Sequence, residues 1–287
     1  MNKLRKSIFN NLYSIFSKNK ITNSVLQLGI NIGIADFIYR MFSKDYLNKR
    51  IAFFEKNERR IIDNVNSLED IKSKEIYLSM IYYRCIRKRN RFPKYSEQYF
   101  NNDVMNIDNN EHFIDCGAFD GDTIDRISKK LSPNKNITVV AFEPDEENYK
   151  KLLEKKDKYN NIVIKTYKYG IWSKKATLRF NANGDIGAKI DSNGECEIKV
   201  TNLDAIPDCY NATFIKMDIE GAELEALKGA KKIIMNNKPK LAISIYHSDD
   251  DMIDIIEFIR NKYPFYNIYV RHHSNIESET VMYCIKK

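Results

Sequence analysis

The stretch "FIKMDIEGAELEALKGA", from Phe214 to Ala230, joins an apolar run to a helical pattern through a short acidic turn. Its first residues are those of a buried parallel strand. Ala226, Leu227 and Ala230 then recur at helical spacing. A strand followed directly by a helix is the repeating unit of a parallel α/β sheet. Asp218 is therefore predicted at the C-terminal end of a parallel strand, where open α/β sheets bind their ligands.

The same alternation of apolar runs and helical patterns extends on both sides of this stretch. The predicted buried strands are "HFIDCG", "ITVVAFE", "NIVIKTY", "TFIKMDI" and "KLAISIY". Two closing strands, "FYNIYVRHH" and "ETVMYCIKK", have no helix between them and are predicted to pair antiparallel. The segment 175–201 has two alternating runs around Asn-Gly turns, which predicts an inserted hairpin. The predicted fold class is α/β, with a mostly parallel sheet and an antiparallel C-terminal strand.

The N-terminal part of the chain differs in both pattern and charge. Helical spacing with little Pro or Gly predicts a helical region over 1–100, ahead of a domain over 101–287. Residues 1–100 hold 20 Lys and Arg against 9 Asp and Glu, whereas 101–287 holds 27 against 30, so the overall charge of +8 belongs to the N-terminal region. A basic stretch over 84–91 fits an RNA grip or a solvated helix end. The amphipathic start fits weak contact with a membrane surface.

Several protein classes are excluded by what the sequence lacks. It has no run of about 18 apolar residues, so no bilayer-spanning segment is predicted. Its start has no long apolar core or small-residue cleavage site, which argues against export. Its five cysteines are scattered and never spaced as CxxC, so neither a disulfide framework nor a zinc site is expected. We therefore expect a cytoplasmic protein, with any membrane contact peripheral and on the cytoplasmic face.

The stretch "FIDCGAFDGDTI" predicts a ligand-binding loop between the first strand and the first helix of the sheet. Gly117 and Gly121 would let the backbone turn tightly and approach a ligand, beside a helix N-terminus. The spacing is neither GxGxxG nor a P-loop. Glu143 ends the next predicted strand, where a carboxylate can accept hydrogen bonds from both ribose hydroxyls. These residues predict a nucleoside-containing ligand; the alternative is that the acids only cap helices or face solvent.

Taken together, "FIDCGAFDGDT", "VVAFEPDEENYKKL", "TNLDAI" and "FIKMDIEGAELEALKGA" resemble the FkbM family of S-adenosylmethionine-dependent methyltransferases. The resemblance covers the chain from about Gln98 to its end. It implies a Rossmann-like methyltransferase sheet, S-adenosylmethionine as cofactor, and methyl transfer to a hydroxyl oxygen of a sugar, glycan precursor or other small molecule. The cofactor-binding residues that the resemblance implies are Asp115, Gly117, Ala118, Gly121, Asp122, Thr123, Glu143 and Asp218.

A hydroxyl acceptor must lose its proton during transfer, and histidine is the side chain best suited to take it near neutral pH. His247 follows the predicted strand "KLAISIY" at the ligand edge, so we predict it as the base, with Asp218 beside the reacting methyl group. The alternative is a helix-capping or exposed histidine. His112 precedes the first strand, at the opposite edge, and is predicted to be structural. His272 and His273 follow the sixth strand, and one of the two rings is expected to face the pocket.

Four further residues are predicted contacts of the cofactor or acceptor. Gln98 and Tyr99 stand just before the sheet domain, and Trp172 follows the third strand, where it either stacks on adenine or belongs to the core. Glu220 lies two residues after Asp218, and such a pair of carboxylates suits magnesium. Because the sequence identifies no third ligand, no metal site is predicted, and a metal-assisted mechanism stays an open alternative.

Three functions remain open at this stage. The first is O-methylation of a glycan or small-molecule acceptor with S-adenosylmethionine. The second is RNA methylation with the basic N-terminal segment as the grip, although the NPPY-like loop of amino-group methyltransferases is absent and nucleic acid is not the expected partner. The third is a non-catalytic S-adenosylmethionine-binding interaction module.

Overall fold

A computed structural model describes residues 44–86, 97–100, 103–108, 110–132, 136–180 and 196–287 of the 287-residue chain. The amphipathic start, most of the basic stretch over 84–91 and the turn of the predicted hairpin lie outside the described residues. The strands are β1 (His112–Cys116), β2 (Ile137–Phe142), β3 (Ile162–Tyr167), β4 (Gly170–Ile171), β5 (Ala176–Phe180), β6 (Cys196–Thr201), β7 (Phe214–Met217), β8 (Lys240–Ser244), β9 (Tyr266–His272) and β10 (Thr280–Lys286). The helices are α1 (Lys44–Lys56), α2 (Glu58–Ser67), α3 (Ile71–Ile86), α4 (Asp122–Lys130), α5 (Glu146–Leu153), α6 (Glu223–Lys228), α7 (Lys231–Asn237) and α8 (Asp251–Lys262).

The main sheet has seven strands in the order β3-β2-β1-β7-β8-β10-β9. The first five run parallel, whereas β10 runs antiparallel to both β8 and β9. A second sheet has the order β4-β6-β5, and its β5 and β6 pair antiparallel. The predicted α/β fold class, mostly parallel with an antiparallel C-terminal strand, is confirmed. The apolar strands match this arrangement because both faces of a parallel sheet are covered.

Side-chain alternation divides the interior into two cores, one on each face of the main sheet. Phe214 and Ile215 are adjacent in β7 yet belong to opposite cores, as the period-two pleat requires. The first core contains residues of α2, α3, α6, α7 and α8, and the second contains residues of α4 and α5. In the second core the rings of Phe113 and Phe214 lie 4.8 Å apart between centroids, and Phe100 packs against both. Residues before the sheet domain therefore contribute to both cores.

The N-terminal helices pack on the sheet domain through α8 and β9. The backbone N–H of Glu69 donates a hydrogen bond to Ile268 O at 2.9 Å, so the chain after α2 runs along the β9 edge of the sheet. At the other end of this region, the fully buried guanidinium of Arg84 donates to Asp249 Oδ1 at 2.7 Å and to the carbonyl of Tyr246. These contacts tie α3 to the loop that follows β8.

Two predictions from composition concern membranes and cysteines. Within the described ranges, no helix has both the length and the apolar character that crossing a bilayer requires. Four thiols are free and buried: those of Cys85, Cys116, Cys209 and Cys284. Burial raises the pKa of each of them, so each is held as a neutral thiol inside a core.

We predict that Arg84→Leu lowers the free energy of unfolding by about 3 kcal/mol, because it leaves a carboxylate and a carbonyl beside α3 without their buried partner. Arg60→Leu is the matched control. Arg60 also joins an N-terminal helix to α8, donating to Asp254 and Glu257 at 2.6 Å, but its side chain is 39% exposed. Its loss should cost about 1 kcal/mol or less. Urea denaturation followed by circular dichroism measures both, and equal losses would contradict the buried role of Arg84.

Candidate active site

The C-terminal ends of the central strands bring the predicted site residues to one edge of the sheet. Asp115 is the penultimate residue of β1, Glu143 follows β2, Asp218 follows β7, and His247 lies three residues beyond β8. Because these four strands are parallel, their ends meet at the same edge. The structure thus places the ligand-binding and catalytic candidates of the sequence analysis at a common edge.

The loop after β1 is shaped by two glycines in the left-handed region. Gly117 has φ +79°, and a Cβ added there would lie 2.0 Å from the carbonyl oxygen of Asp218. Only glycine therefore lets this loop pack against the backbone that follows β7. Gly121, at φ +84°, is the N-cap of α4. Between them Ala118 is buried, and beyond them Asp122 and Thr123 form the first turn of that helix.

The side chain of Glu143 binds the backbone of the loop over 117–121, which we call the glycine loop. Its Oε2 accepts a hydrogen bond from the N–H of Phe119 at 2.8 Å, and its Oε1 accepts one from the N–H of Asp145 at 3.0 Å. Burial raises the pKa of Glu143 to about 7, against the opposing effect of these two N–H groups. This carboxylate is therefore close to half protonated near neutral pH. A ligand that forms hydrogen bonds with it would shift its protonation.

A buried ion pair lies beneath the same loop. Lys216 Nζ is 3.0 Å from Asp115 Oδ1 and donates to the carbonyl of Gly117 at 2.5 Å. Burial lowers the pKa of Lys216, but the charges of Asp115 and Asp218 outweigh it and raise that pKa above its usual value. The lysine therefore stays charged and joins the ends of β1 and β7. Asp115 Oδ2 is buried and has no hydrogen-bond partner among the described residues.

His247 stands among three carboxylates, and we refer to these four residues as the His247 cluster. Its Nε2 is 3.0 Å from Asp218 Oδ1 and 3.1 Å from Glu223 Oε1. Its Nδ1 is 3.4 Å from Glu220 Oε2. Burial lowers the pKa of His247, but these carboxylates outweigh it and raise that pKa to about 12. In the protein alone, the ring is thus an imidazolium at neutral pH.

Asp218 is the most heavily bonded member of the His247 cluster. The hydroxyl of Tyr99 donates to its Oδ2 at 2.6 Å, and the hydroxyl of Tyr246 donates to its Oδ1 at 3.0 Å. Burial alone would raise the pKa of Asp218, but His247, Lys216 and Tyr99 hold it well below its usual range. Asp218 is therefore charged, and its orientation is fixed from three sides.

The segment just before the sheet domain reaches this carboxylate directly. Gln98 Nε2 donates to the hydroxyl of Tyr99 at 3.0 Å and also to Glu279.

Backbone strain is concentrated around the candidate site: of the six described non-glycine residues with positive φ, four are Tyr99, Phe119, Glu220 and Glu279. Such strain persists where surrounding contacts over-determine the backbone, and it is common at functional sites.

Other predicted residues lie in different surroundings. His272 Nδ1 contacts Thr280 Oγ1 at 2.9 Å and His273 Nε2 contacts the hydroxyl of Tyr283 at 2.9 Å, both within or beside the β9–β10 pair. Burial lowers the pKa of both rings to about 4, so both are neutral. Trp172 is half-buried. Its backbone N–H donates to Thr201 O, and its backbone carbonyl packs against Gly229. His112 contacts Asp208 O at 2.6 Å from the opposite end of β1.

The protein-family model described as the methyltransferase FkbM domain matches residues 115–265 of this chain. The match covers more than half of the chain. The chain belongs to the FkbM methyltransferase family. The match spans the glycine loop, Glu143, and the whole His247 cluster.

Two relatives extend this finding. A crystal structure of methyltransferase FkbM from Methylobacillus flagellatus superposes with a TM-score of 0.69 at 28% identity, covering 82% of this chain and 62% of that one. The hexuronic acid methyltransferase AglP of Haloferax volcanii is 32% identical over 99 residues, which cover 32% of this chain and 40% of AglP. The chain thus spans less than two thirds of the length of either relative.

The residues of this FkbM-family site fit the S-adenosylmethionine that the resemblance implies. Asp115 offers a buried carboxylate oxygen without a hydrogen-bond partner, beside a loop in which Gly117 leaves no room for a Cβ. Glu143 offers a carboxylate at the end of β2, where ribose hydroxyls can be bound. Several carboxylates at the same edge suit the positive charge of a sulfonium.

Several site residues were not identified from the sequence. Glu223 was not singled out as a site residue, but it is completely buried and contacts His247. The reason lies in the turn before it, where Glu220 and Gly221 both have positive φ and the N–H of Ile219 donates to Glu223 Oε1 at 2.7 Å. Lys216, Tyr246, Phe119 and Glu279 were also missed. A charged residue inside an apolar strand was the available signal for Lys216.

Proposed function

We propose that this protein transfers a methyl group from S-adenosylmethionine to a hydroxyl oxygen of a saccharide, with a hexuronic acid as the preferred sugar. The observation that carries the proposal is the His247 cluster, an imidazole held among three carboxylates at the ligand edge beside the glycine loop. Methyl transfer to a hydroxyl, unlike transfer to a neutral amine, produces a proton that must be accepted as the bond forms. The similarity to AglP supports the choice of sugar.

The cofactor would be held by the glycine loop, Asp115 and Glu143. When bound, it supplies a methyl group on a positively charged sulfur; transfer breaks the S–C bond, forms the O–C bond and releases the hydroxyl proton. The chain's own residues position the acceptor oxygen and exclude water. Asp218 is suited to this role because Tyr99 and Tyr246 fix its carboxylate while one fifth of its side chain remains exposed.

The route of the proton is set by the charges in the His247 cluster. As an imidazolium, His247 has no lone pair for an incoming proton, so its predicted role as the base requires that it first gives up the proton that its neighbours hold. Glu220 lies on the path by which that proton would reach solvent, since its Oε2 lies 3.4 Å from Nδ1 and about half of its side chain is exposed. In this proposal Asp218 orients the ring and Glu220 connects it to solvent.

Incubation of the purified full chain with methyl-labelled S-adenosylmethionine and a panel of acceptors tests the proposal. The panel holds hexuronic acid glycosides, the matched neutral hexose glycosides and total RNA. We expect label in the hexuronic acid arm, stable to mild alkali, because an ether at a hydroxyl survives conditions that cleave a methyl ester. Label released as methanol would instead place transfer on the carboxylate, and label in RNA alone would overturn the proposal.

A substitution at the His247 cluster should separate chemistry from cofactor binding. We predict that His247→Ala lowers kcat/KM for the acceptor by about 100-fold or more while cofactor affinity is unchanged, since it removes the ring that joins the three carboxylates. His112→Gln is the matched control, because this ring lies at the opposite edge of the sheet. Steady-state kinetics and calorimetry measure both variants. Turnover of His247→Ala at the wild-type rate would refute the assignment.

The raised pKa of Glu143 predicts pH-dependent cofactor binding. The carboxylate is a better acceptor than the neutral acid for ribose hydroxyls, and with a pKa of about 7 it gains its charge between pH 6 and 8. Affinity for S-adenosylmethionine should therefore rise about tenfold over this range. The charge of Asp145 favours the neutral form and that of Lys216 the charged form.

Glu143→Gln provides the control for that pH dependence. It keeps the side-chain volume but cannot ionise, so the variant should bind the cofactor more weakly at pH 8 and with nearly the same affinity at pH 6 and pH 8. Calorimetric titrations at both pH values decide the matter. A wild-type affinity that is flat over this interval would show that Glu143 does not contact the ribose.

A further inference from the structure

The His247 cluster brings together one nitrogen and several oxygens at the spacing of metal ligands. His247 Nε2 lies 3.0 Å from Asp218 Oδ1 and 3.1 Å from Glu223 Oε1. One ligand atom from each of these three residues lies within 4.8 Å of the others. Ligand atoms bound to one divalent ion at about 2.1 Å are themselves about 3 Å apart when they occupy adjacent positions.

Hydrogen bonding alone leaves this arrangement incompletely satisfied. Nε2 can carry a single proton, yet it faces two carboxylate oxygens at nearly equal distances. Glu223 has no solvent exposure, and its Oε2 has no hydrogen-bond partner among the described residues. A buried carboxylate without enough partners is costly unless a charge compensates it. The His247 cluster holds three carboxylates against one imidazole, so it has an excess of negative charge.

We propose that Asp218, Glu223 and His247 bind a divalent metal ion. One imidazole and two carboxylates are a donor set used by Mn²⁺ and Zn²⁺, and three protein ligands leave positions open for a substrate oxygen. The ion would bind Nε2 in place of its proton, and Nδ1 would keep its proton, directed at Glu220. Such a hydrogen bond from the second ring nitrogen to a carboxylate is the usual support of a metal-bound histidine.

The three ligands come from three different segments of the fold. Asp218 ends β7, Glu223 begins α6, and His247 follows β8. The sequence pattern pairs Asp218 with Glu220 but gives no third ligand, whereas the turn at 219–221 brings the buried carboxylate of Glu223 within 3.1 Å of Nε2. Neighbouring hydroxyls further fix the site, since Tyr99 and Tyr246 both donate to Asp218.

A bound ion would also change the proton route described above. A divalent ion lowers the pKa of a hydroxyl that coordinates it, so the acceptor could lose its proton without a free imidazole nitrogen. This consequence rests on the proposed function, but the binding of the ion does not. Metal binding is therefore measured on the full chain without cofactor or acceptor, and its failure would leave the methyl-transfer proposal to its own test.

The experiment titrates chelator-treated protein with Mn²⁺ and follows the free ion by electron paramagnetic resonance, with Zn²⁺ measured by equilibrium dialysis. We expect one ion per chain. Asp218→Asn and Glu223→Gln should each weaken binding by about 100-fold or more. Glu225→Gln is the control: this residue lies on the same helix as Glu223, pairs with Lys228 at the surface, and should leave binding unchanged.

Either of two results would overturn the proposal. One is the absence of saturable binding of Mn²⁺ and of Zn²⁺ by the folded wild-type chain. The other is equal weakening by Glu225→Gln and Asp218→Asn, which would mean diffuse binding to surface acids. If Glu223→Gln fails to fold by circular dichroism, Asp218→Asn carries the test, because its side chain is partly exposed and its volume is preserved.

Discussion

The packing of the loop after β1 against the backbone after β7 is the constraint on which the rest of the site depends. The N–H of Asp218 donates to Cys116 O at 3.1 Å, and the carbonyl of Asp218 occupies the space that a Cβ at Gly117 would need. Lys216 joins the same two strand ends through Asp115 and the carbonyl of Gly117. Because the loop and the reacting edge share these contacts, the predicted cofactor-binding residues and the catalytic candidates cannot shift independently.

Charge is balanced separately in the two layers of this site. Beneath the loop, a buried lysine compensates Asp115 and is kept charged by it, so the pair is a fixed part of the scaffold. In the upper layer, formed by the His247 cluster, one imidazole faces three carboxylates, and the balance depends on a proton or another cation. The two layers meet at Asp218, which is hydrogen-bonded to His247 and whose pKa is lowered by the charge of Lys216. The lower layer therefore fixes the geometry, and the upper layer supplies the group that can change state.

The sequence predicted those features that follow from strand ends and did not identify those that depend on a turn or on strand pairing. Asp218 follows an apolar strand directly and His247 lies three residues beyond the next one, so the rule for parallel sheets was enough to place them at the same edge. Glu223 was not identified because helical periodicity carries no information on the turn before it, and positive φ at Glu220 and Gly221 folds its carboxylate inward. The rings of His272 and His273 meet Thr280 and Tyr283, partners that no local pattern specifies. Pairing across a sheet depends on strand register, and register cannot be predicted from the sequence of one strand alone.

The excess negative charge also bears on which acceptors can approach. Glu279 lies at the same edge, bonded to Gln98, and adds a further carboxylate near Asp218. A polyanion such as RNA would bring its phosphates against these groups, which is unfavourable at short range in a partly buried site. A sugar that carries a single carboxylate meets the same repulsion on a smaller scale. A cation in the His247 cluster would reverse it, because the ion would coordinate the acceptor's oxygens while compensating Asp218 and Glu223. If the proposed function and the proposed metal site both hold, acceptor charge and cluster occupancy are coupled, and the preference for an acidic over a neutral sugar should depend on the metal.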